Sequence, residues 1–239
     1  MRITSGLLKS RTIKNPKNIR PTQDKVRKGL FDTIRAKVVD SYFLELFAGS
    51  GAVGIEALSN GASEVVFVEK DKRCCKIIED NLAKLGLIPR KKDPGKNIFT
   101  PLENRFLTGS ILTTDALRAI EIFYKNNKKF DIIFLDPPYY PKCSYSKEHL
   151  FPECSNFLGY SSGSRRDTTK NSIIRDKNLA KKALQKLSAC DILAPHGLIV
   201  AEHSKKDSLD DIICGLTCFK QKRYGDTILS FYRKKVSLQ

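Results

Sequence analysis

Short apolar runs alternate with amphipathic segments after Asp40, and this alternation limits the fold more than any other feature of the chain. Residues 42–47, 64–69 and 130–136 are runs of strand length, and the segments between them include stretches with helical spacing. Strands that alternate with helices form parallel sheets, because a parallel connection is long enough to hold a helix. The sequence therefore predicts an α/β fold with a mostly parallel sheet.

The complete pattern predicts seven strands that end in an antiparallel hairpin, whose turn is Tyr224-Gly225-Asp226. We expect the strands at residues 42–47, 64–69, 110–114, 130–136, 198–202, 218–223 and 227–232. We expect helices between them at residues 52–59, 71–85, 116–124, 178–190 and 209–214. Two basic inserts, at about 88–104 and 140–175, interrupt this rhythm.

The first 39 residues form a basic segment of their own. They contain eleven of the 43 Lys and Arg residues of the chain, which carries a net charge of +17. Residues 1–17 predict a hairpin or extended arm, and a helix should follow from an N-cap at Thr22, with apolar residues at every fourth position from Val26 to Val38. Gly29 weakens this helix by about 1 kcal/mol relative to Ala, so either the helix tolerates it or another group packs very closely there. The charge favours an anionic polymer as partner.

Composition narrows the class of protein further. With 239 residues, of which 41% are hydrophobic, the chain is globular, and no apolar run approaches the ~20 residues that span a bilayer. We expect a soluble, cytoplasmic protein. The seven cysteines are an odd number and show no C-x-x-C spacing, so we expect reduced thiols and no metal site.

A glycine-rich loop follows the first predicted strand. Gly49, Gly51 and Gly54 fill a G-x-G-x-x-G pattern between a strand and a helix, and Glu69 ends the second strand. In this context glycines let a ligand approach the backbone, and the acidic residue accepts hydrogen bonds from ribose hydroxyls. The pattern predicts a nucleoside cofactor and leaves open a dinucleotide or S-adenosylmethionine. Asp115, after the third strand, is placed to meet an adenine amino group.

The tetrapeptide Asp136-Pro137-Pro138-Tyr139 closes the fourth strand, where open α/β sheets bind ligands. Asp136 offers a carboxylate acceptor, the prolines offer carbonyls without N–H groups, and Tyr139 offers a flat ring. Two acceptors beside a stacking surface suit a planar ring that carries an amino group. The tetrapeptide therefore favours methyl transfer to a base amine over hydride transfer.

The glycine loop, Glu69 and the tetrapeptide resemble those class I S-adenosylmethionine-dependent methyltransferases that act on nucleobase amino groups. The resemblance implies the Rossmann-like fold of this class. Further motifs resemble the RsmD family, which methylates guanine N2 in small-subunit (16S) ribosomal RNA. These motifs are Arg2-Ile3-Thr4-Ser5-Gly6, Arg20-Pro21-Thr22, residues 26–31, Leu46-Phe47-Ala48-Gly49-Ser50-Gly51 and residues 222–227. The resemblance runs from Arg2 to about Tyr232, apart from the two inserts.

The resemblance implies a role for each site residue. It assigns catalysis to Asp136, Pro137 and Tyr139, with the guanine unstacked and held by Tyr139. It assigns cofactor binding to Thr22, Phe47, Gly49, Ser50, Gly51, Glu69 and Asp115. It assigns contacts with RNA phosphates to Arg2, Lys9, Arg11, Lys14 and Arg20.

The resemblance also implies a division of labour and a set of partners. We expect residues 1–39 to bind RNA and close over the cofactor, and residues 40–239 to form the methyltransferase domain. The partner should be ribosomal RNA or an assembling small subunit, and the protein a monomer. The alternatives are a DNA adenine-N6 or cytosine-N4 methyltransferase, a non-catalytic nucleic-acid-binding protein with this fold, and a nicotinamide-dependent oxidoreductase.

Overall fold

A mixed sheet of eight strands forms the centre of the protein in the computed structural model. The structure describes residues 1–16, 23–87, 89–93, 96–99, 108–138, 179–207 and 209–235. The helices are α1 (Asp24–Val38), α2 (Ala52–Ser59), α3 (Lys72–Lys84), α4 (Ala116–Lys125) and α5 (Leu179–Ala189). The strands are β1 (Tyr42–Leu46), β2 (Glu64–Glu69), β3 (Pro89–Asp93), β4 (Lys96–Phe99), β5 (Thr108–Thr113), β6 (Phe130–Leu135), β7 (Leu193–Ser204), β8 (Ile212–Ile213), β9 (Leu216–Tyr224) and β10 (Thr227–Lys234).

The strands of the large sheet are ordered β5, β2, β1, β6, β7, β10, β9, β8. The first five run parallel, and β10, β9 and β8 are added in antiparallel pairs, so the predicted α/β class and the C-terminal hairpin are confirmed. Strands β3 and β4 form a separate antiparallel pair within the first predicted insert. The chain builds outward from β1 in one direction and then continues from β6 in the other. The junction between β1 and β6 is therefore the topological switch point of the sheet.

The prediction of a helix at 209–214 was wrong, and the sheet gains an eighth strand there. Ile212 and Ile213 pair with Thr217 and Leu216 across a tight turn. The turn residues Cys214 and Gly215 have φ angles of 47° and 86°. Two successive positive φ values are the geometry of a type I′ hairpin turn, which leaves no room for a helix in so short a segment.

Helix α1 has the predicted buried face but a different beginning. Val26, Leu30, Ile34 and Val38 are all buried, as their spacing predicts. The predicted N-cap at Thr22 was wrong, because the helix begins at Asp24 and the cap position is occupied by Gln23, which makes no side-chain capping bond. Thr22 itself lies outside the described residues.

The core has two layers, one on each face of the sheet. Helices α1, α2 and α3 pack on one face, around Phe43, Phe67 and Phe134. Helices α4 and α5 pack on the other, around Phe130 and Ile133. Among the described residues, no helix is both long and apolar enough to cross a membrane.

The N-terminal arm, residues 1–14, is a hairpin that belongs to the first core layer. The amide of Ile3 donates to the Arg11 carbonyl at 2.9 Å, and the amide of Ser10 donates to the Ile3 carbonyl at 2.9 Å. Ile3, Leu8 and Ile13 are buried in the same cluster as α1, α2 and α3. The arm therefore contributes apolar side chains to the core as well as charges to the surface.

Candidate cofactor and catalytic site

The glycine loop, residues 47–51, turns sharply between β1 and α2. Phe47, Gly49 and Gly51 have φ angles of 61°, 55° and 72°. This left-handed conformation costs little for glycine but is unfavourable for Phe47, so the surrounding packing must hold it. The loop thereby turns the backbone toward the edge of the sheet where the parallel strands end.

Glu69 fixes the shape of the loop. Its carboxylate oxygen Oε2 accepts a hydrogen bond from the Gly49 amide at 2.9 Å, and Oε1 accepts from the amides of Lys70 and Asp71 at 2.8 and 2.9 Å. A carboxylate has about four acceptor positions, so these three bonds leave one position on Oε2 for a ligand hydroxyl. Glu69 thus joins the glycine loop, the end of β2 and the start of α3.

The third glycine of the pattern permits close packing between α2 and the sheet. A Cβ atom at Gly54 would lie 2.4 Å from Cε1 of Phe67 and 2.7 Å from Oε2 of Glu45. In the structure Glu45 accepts hydrogen bonds from the amides of Val53 and Gly54 at 3.2 and 2.9 Å. These are amides of the first turn of α2, which the helix itself leaves unpaired. Any larger residue at position 54 would displace the Glu45 carboxyl group, which caps the helix.

Glu45 is a site residue that the sequence did not reveal. It is 3% exposed, and burial raises its pKa to about 8, with smaller contributions from the nearby charges of Asp136 and Glu69. The hydrogen bonds from α2 oppose this rise in pKa without cancelling it. An acidic residue inside an otherwise apolar strand was visible in the sequence, but its partners lie eight and nine residues further along the chain.

Asp136 lies at the switch point, beside the glycine loop. Leu46 and Leu135 are paired neighbours on β1 and β6, so Phe47 and Asp136 are the residues just beyond that pair. Asp136 is half-buried and Pro137 is buried. The structure therefore brings the predicted catalytic carboxylate next to the predicted cofactor loop. Tyr139 lies outside the described residues.

Asp115 lies further along the same edge of the sheet, two residues after β5. Its side chain caps α4, where Oδ1 accepts from the amides of Leu117 and Arg118 at 2.8 and 3.4 Å. Both bonds fall on Oδ1, which leaves Oδ2 of this exposed side chain to accept a bond from a ligand. Asp115, Glu69, the glycine loop and Asp136 thus follow one another along the carboxyl ends of β5, β2, β1 and β6.

These residues fit S-adenosylmethionine. The left-handed glycines turn the loop at the end of β1, Glu69 keeps one acceptor position for a ribose hydroxyl, and Asp115 keeps an oxygen for an amino group. Ser50 is buried within the loop, with its carbonyl oxygen held by Asn81 at 3.1 Å. The cofactor would therefore be held by the loop, Glu69 and Asp115. When bound, it supplies an electrophilic methyl group.

The predicted RNA-binding residues of the arm that the structure describes lie near different elements of the fold. Arg2, Lys9, Arg11 and Lys14 are all exposed. The Arg11 guanidinium donates to the carbonyl of Leu85 at 3.0 Å, at the end of α3, and Lys9 follows Gly6–Leu8, a segment anchored at Ser59. Lys14, in contrast, is joined through Asn81 to Ser50 of the glycine loop. Arg20 lies outside the described residues.

A buried ion pair holds the arm against α1 and α2. Arg27 and Glu56 are both 0% exposed, and Nε of Arg27 lies 3.5 Å from Oε2 of Glu56. Glu56 also accepts bonds from the amides of Thr4 and Ser5 at 2.9 and 2.7 Å, and Arg27 donates to the carbonyl of Arg2. Two buried charges are tolerated only when such partners satisfy them. No local pattern indicates this pair, because its members are 29 residues apart in the chain.

The strand order, the glycine loop with its acidic partner at the end of β2, and Asp136 at the switch point define a class I S-adenosylmethionine-dependent methyltransferase. A solved structure of a candidate methyltransferase from Escherichia coli, yhhF, has the same fold, with a TM-score of 0.64, 21% identity, and 99% of each chain covered. The family model described as Conserved hypothetical protein 95 matches residues 1–151 and 175–233. The chain belongs to that family, the RsmD family of methyltransferases.

Two curated relatives agree with this assignment. YlbH of Bacillus subtilis (strain 168), named as a candidate rRNA methyltransferase, is 28% identical over 237 residues, which cover 98% of this chain and all of that protein. Ribosomal RNA small subunit methyltransferase D of Escherichia coli (strain K12) is 39% identical over 141 residues, which cover 58% of this chain and 60% of that protein. The match with the second relative thus spans about three fifths of its length.

Proposed function

We propose that this protein transfers the methyl group of S-adenosylmethionine to the N2 amino group of a guanine in small-subunit ribosomal RNA. The position of Asp136 beside the glycine loop carries the proposal, because it puts a hydrogen-bond acceptor where an amine would meet the methyl donor. The names of the relatives support ribosomal RNA as the substrate. Ribosomal RNA as substrate would place the reaction in the cytoplasm, and we propose a monomer as the active unit.

The proposed chemistry depends mainly on orientation, since an exocyclic amine of guanine is a weak nucleophile. Asp136 would accept a hydrogen bond from the N2 amino group and turn its lone pair toward the methyl carbon. Pro137 and Pro138 have no N–H groups, so their carbonyls would add acceptors without competing donors. Tyr139 would stack on the base. A new N–C bond forms as the C–S bond breaks, and N2 then releases one proton to Asp136 or to water.

The neighbouring carboxyl group supports this role for Asp136. Glu45 has a pKa of about 8 because it is buried, so at neutral pH it is mainly protonated. A protonated Glu45 spares Asp136 the repulsion of a second buried charge at the end of β1. We therefore assign the reactive negative charge at the switch point to Asp136 and a structural role to Glu45.

Cations around the carboxyl edge support an RNA substrate. Lys205 pairs with Asp226 at 2.6 Å, and its hydrogen bond is the main cause of a lowered pKa at Asp226, to which the charges of Lys206 and Arg223 contribute. Asp226 precedes Thr227, which pairs with Ser204 at the carboxyl end of β7. We propose that residues 1–39 and this cation cluster, which consists of Lys205, Lys206 and Arg223, hold RNA phosphates.

The test replaces Asp136 and compares it with an aspartate on the same strand. Asp136→Ala should lower the rate of methyl transfer to small-subunit RNA by more than ~100-fold, with cofactor affinity within about threefold of wild type. Asp131→Ala is the matched control, because Asp131 lies at the opposite end of β6, where it accepts from the Tyr42 amide at 2.8 Å. The rate is measured with labelled methyl groups, and mass spectrometry of nucleosides identifies N2-methylguanosine.

Three outcomes would contradict the proposal. Full activity of Asp136→Ala would remove the catalytic role of that residue. Methylation of adenine or cytosine in duplex DNA, with none in ribosomal RNA, would replace the substrate. Binding of RNA without any methyl transfer would indicate a non-catalytic binding protein. Mapping the nucleotide that loses its methyl group when the gene is deleted would complete the assignment.

A further inference from the structure

The N-terminal arm contacts the two helices that follow the cofactor-site strands. Its first half bonds to α2, where Ser59 accepts from the Leu8 amide at 2.9 Å. Its second half bonds to α3, where the Lys84 ammonium donates to the Thr12 hydroxyl at 2.9 Å. Helix α2 begins at the glycine loop and α3 begins just after Glu69. The arm is therefore attached to both elements that shape the cofactor site.

One side chain connects the arm directly to the glycine loop. Asn81 of α3 is 0% exposed, and its amide nitrogen Nδ2 donates to the carbonyls of Lys14 and Ser50 at 3.0 and 3.1 Å. Its amide oxygen Oδ1 accepts from the Lys14 amide at 2.7 Å. Both donors and the acceptor of this side chain are thus used, two of the bonds by the arm and one by the loop.

We propose that Asn81 is a positioning residue that links docking of the arm to the shape of the cofactor loop, so that each favours the other. The proposal rests on the assignment of the loop as the cofactor site. Ser50 lies between two left-handed glycines, which leave the direction of its peptide group weakly fixed. The hydrogen bond from Asn81 to the Ser50 carbonyl fixes the orientation of this peptide group. The coupling free energy between two such events is reciprocal. If docking of the arm favours cofactor binding, cofactor binding must stabilise the docked arm to the same extent.

Burial makes the link strong. With the arm docked Asn81 is fully buried and its polar atoms are paired, and if the arm leaves, Asn81 loses two of its three hydrogen bonds. If the loop changes shape, the same side chain loses its third bond. The amide is fully satisfied only when arm and loop are both in place. A side chain that merely filled space at this position would be apolar, as Ile78 is one turn earlier on the same buried face.

The chain offers a matched control in Asn60. Its amide nitrogen donates to the Ser5 hydroxyl at 2.9 Å and to the Glu56 carbonyl at 2.7 Å. Asn60 therefore also anchors the arm, but it does so at the end of α2 that lies away from the glycine loop. Replacing either asparagine loosens the arm, whereas only the Asn81 variant removes a bond to Ser50.

The experiment measures cofactor affinity by calorimetry and arm docking by amide hydrogen exchange in the full chain. Asn81→Ala should weaken binding of S-adenosylmethionine by about tenfold, and Asn60→Ala should leave it within twofold. In wild type and in Asn60→Ala, saturating S-adenosylmethionine should slow exchange of the Ile3, Ser10 and Ile13 amides, which close the arm hairpin. In Asn81→Ala, the cofactor should leave these exchange rates unchanged.

A second variant guards against a simple failure to fold. Asn81→Asp has the same size and still accepts from the Lys14 amide, but its carboxylate can donate neither to the Ser50 carbonyl nor to the Lys14 carbonyl. It should retain a native circular dichroism spectrum and show the same loss of cofactor affinity. Affinity within twofold of wild type in both Asn81 variants, or an equal loss in Asn60→Ala, would overturn the link. If wild type itself bound no S-adenosylmethionine, the proposed function and the link would both fail, whereas a wild type that binds the cofactor together with either of the outcomes above would overturn the link alone.

Discussion

The effect of Gly29→Ala on the free energy of unfolding should depend on the residue at position 224. The substitution should destabilise the protein when Tyr224 is present and stabilise it when Tyr224 is replaced by alanine. A Cβ atom at Gly29 would lie 1.8 Å from Oη and 2.4 Å from Cζ of Tyr224. A normal contact needs at least about 3.4 Å, so the tyrosine ring or α1 must move by roughly 1.5 Å. Overpacking of this kind costs about 1–3 kcal/mol. The close packing that the sequence allowed for at this glycine is therefore present.

The same substitution also has a favourable component, because alanine in a helix interior is more stable than glycine by about 1 kcal/mol. In the wild-type background we expect Gly29→Ala to lower the free energy of unfolding by about 1–2 kcal/mol. In a Tyr224→Ala background the obstacle is gone, and Gly29→Ala should raise the free energy of unfolding by about 0.5–1 kcal/mol. The coupling energy of this double-mutant cycle is then about 1.5–3 kcal/mol.

The assay is urea denaturation followed by circular dichroism at 222 nm, with all four proteins of the cycle under one set of conditions. Tyr224→Phe serves as the control, because it removes Oη but leaves Cζ only 2.4 Å from the added atom. Gly29→Ala should therefore remain destabilising in the phenylalanine background. An effect of the same sign and size in the wild-type and Tyr224→Ala backgrounds would refute the packing argument.

Two further predictions concern charge. The pKa of Glu45 is raised by burial from 4.5 to about 8, so the folded state keeps a proton that the unfolded state releases, and the stability from this group is lost as pH rises from about 4.5 to 8. The measurement is urea denaturation of wild type and Glu45→Gln from pH 5 to 8. The difference in free energy of unfolding, wild type minus variant, should fall by several kcal/mol, at about 1.4 kcal/mol per pH unit. A constant difference would contradict the assigned burial. Lys14→Glu should weaken RNA binding and flatten its salt dependence by about 0.7–0.9 per lost phosphate contact, whereas Lys9→Glu should do less because Lys9 lies away from the glycine loop. Equal effects of the two substitutions in filter binding at several salt concentrations would show that the arm acts only through its total charge.

The sequence was sufficient for the part of the fold that depends on local patterns. The strands around Phe43, Phe67 and Phe134 are apolar and bounded by turn residues, and they form the centre of the sheet. The positions of the glycine loop and Asp136 at strand ends were also predictable, because each motif directly follows its strand in the chain. Their meeting at one edge follows from the parallel order of the strands.

Contacts between distant segments could not be predicted from the sequence. Asn81 is part of an amphipathic helix, and nothing in its neighbours indicates that it bonds to Lys14 and Ser50, which are 67 and 31 residues away. The wrong helix at 209–214 has a different cause, since a strand of two residues carries almost no periodic signal. In both cases the local structure depends on a contact with residues from another segment of the chain.

The short strand β8 has a consequence for how the protein behaves in concentrated solution. Among the residues that the structure describes, β8 pairs with Leu216 and Thr217 alone, so β8 does not cover most of the neighbouring strand β9. Unpaired strand edges recruit strands from other molecules, and lysine side chains discourage such addition. The positions of β9 beyond the cover of β8 include Lys220, Lys222 and Arg223. The same positive charges that suit a nucleic-acid partner therefore also discourage self-association along the part of β9 that no described strand covers.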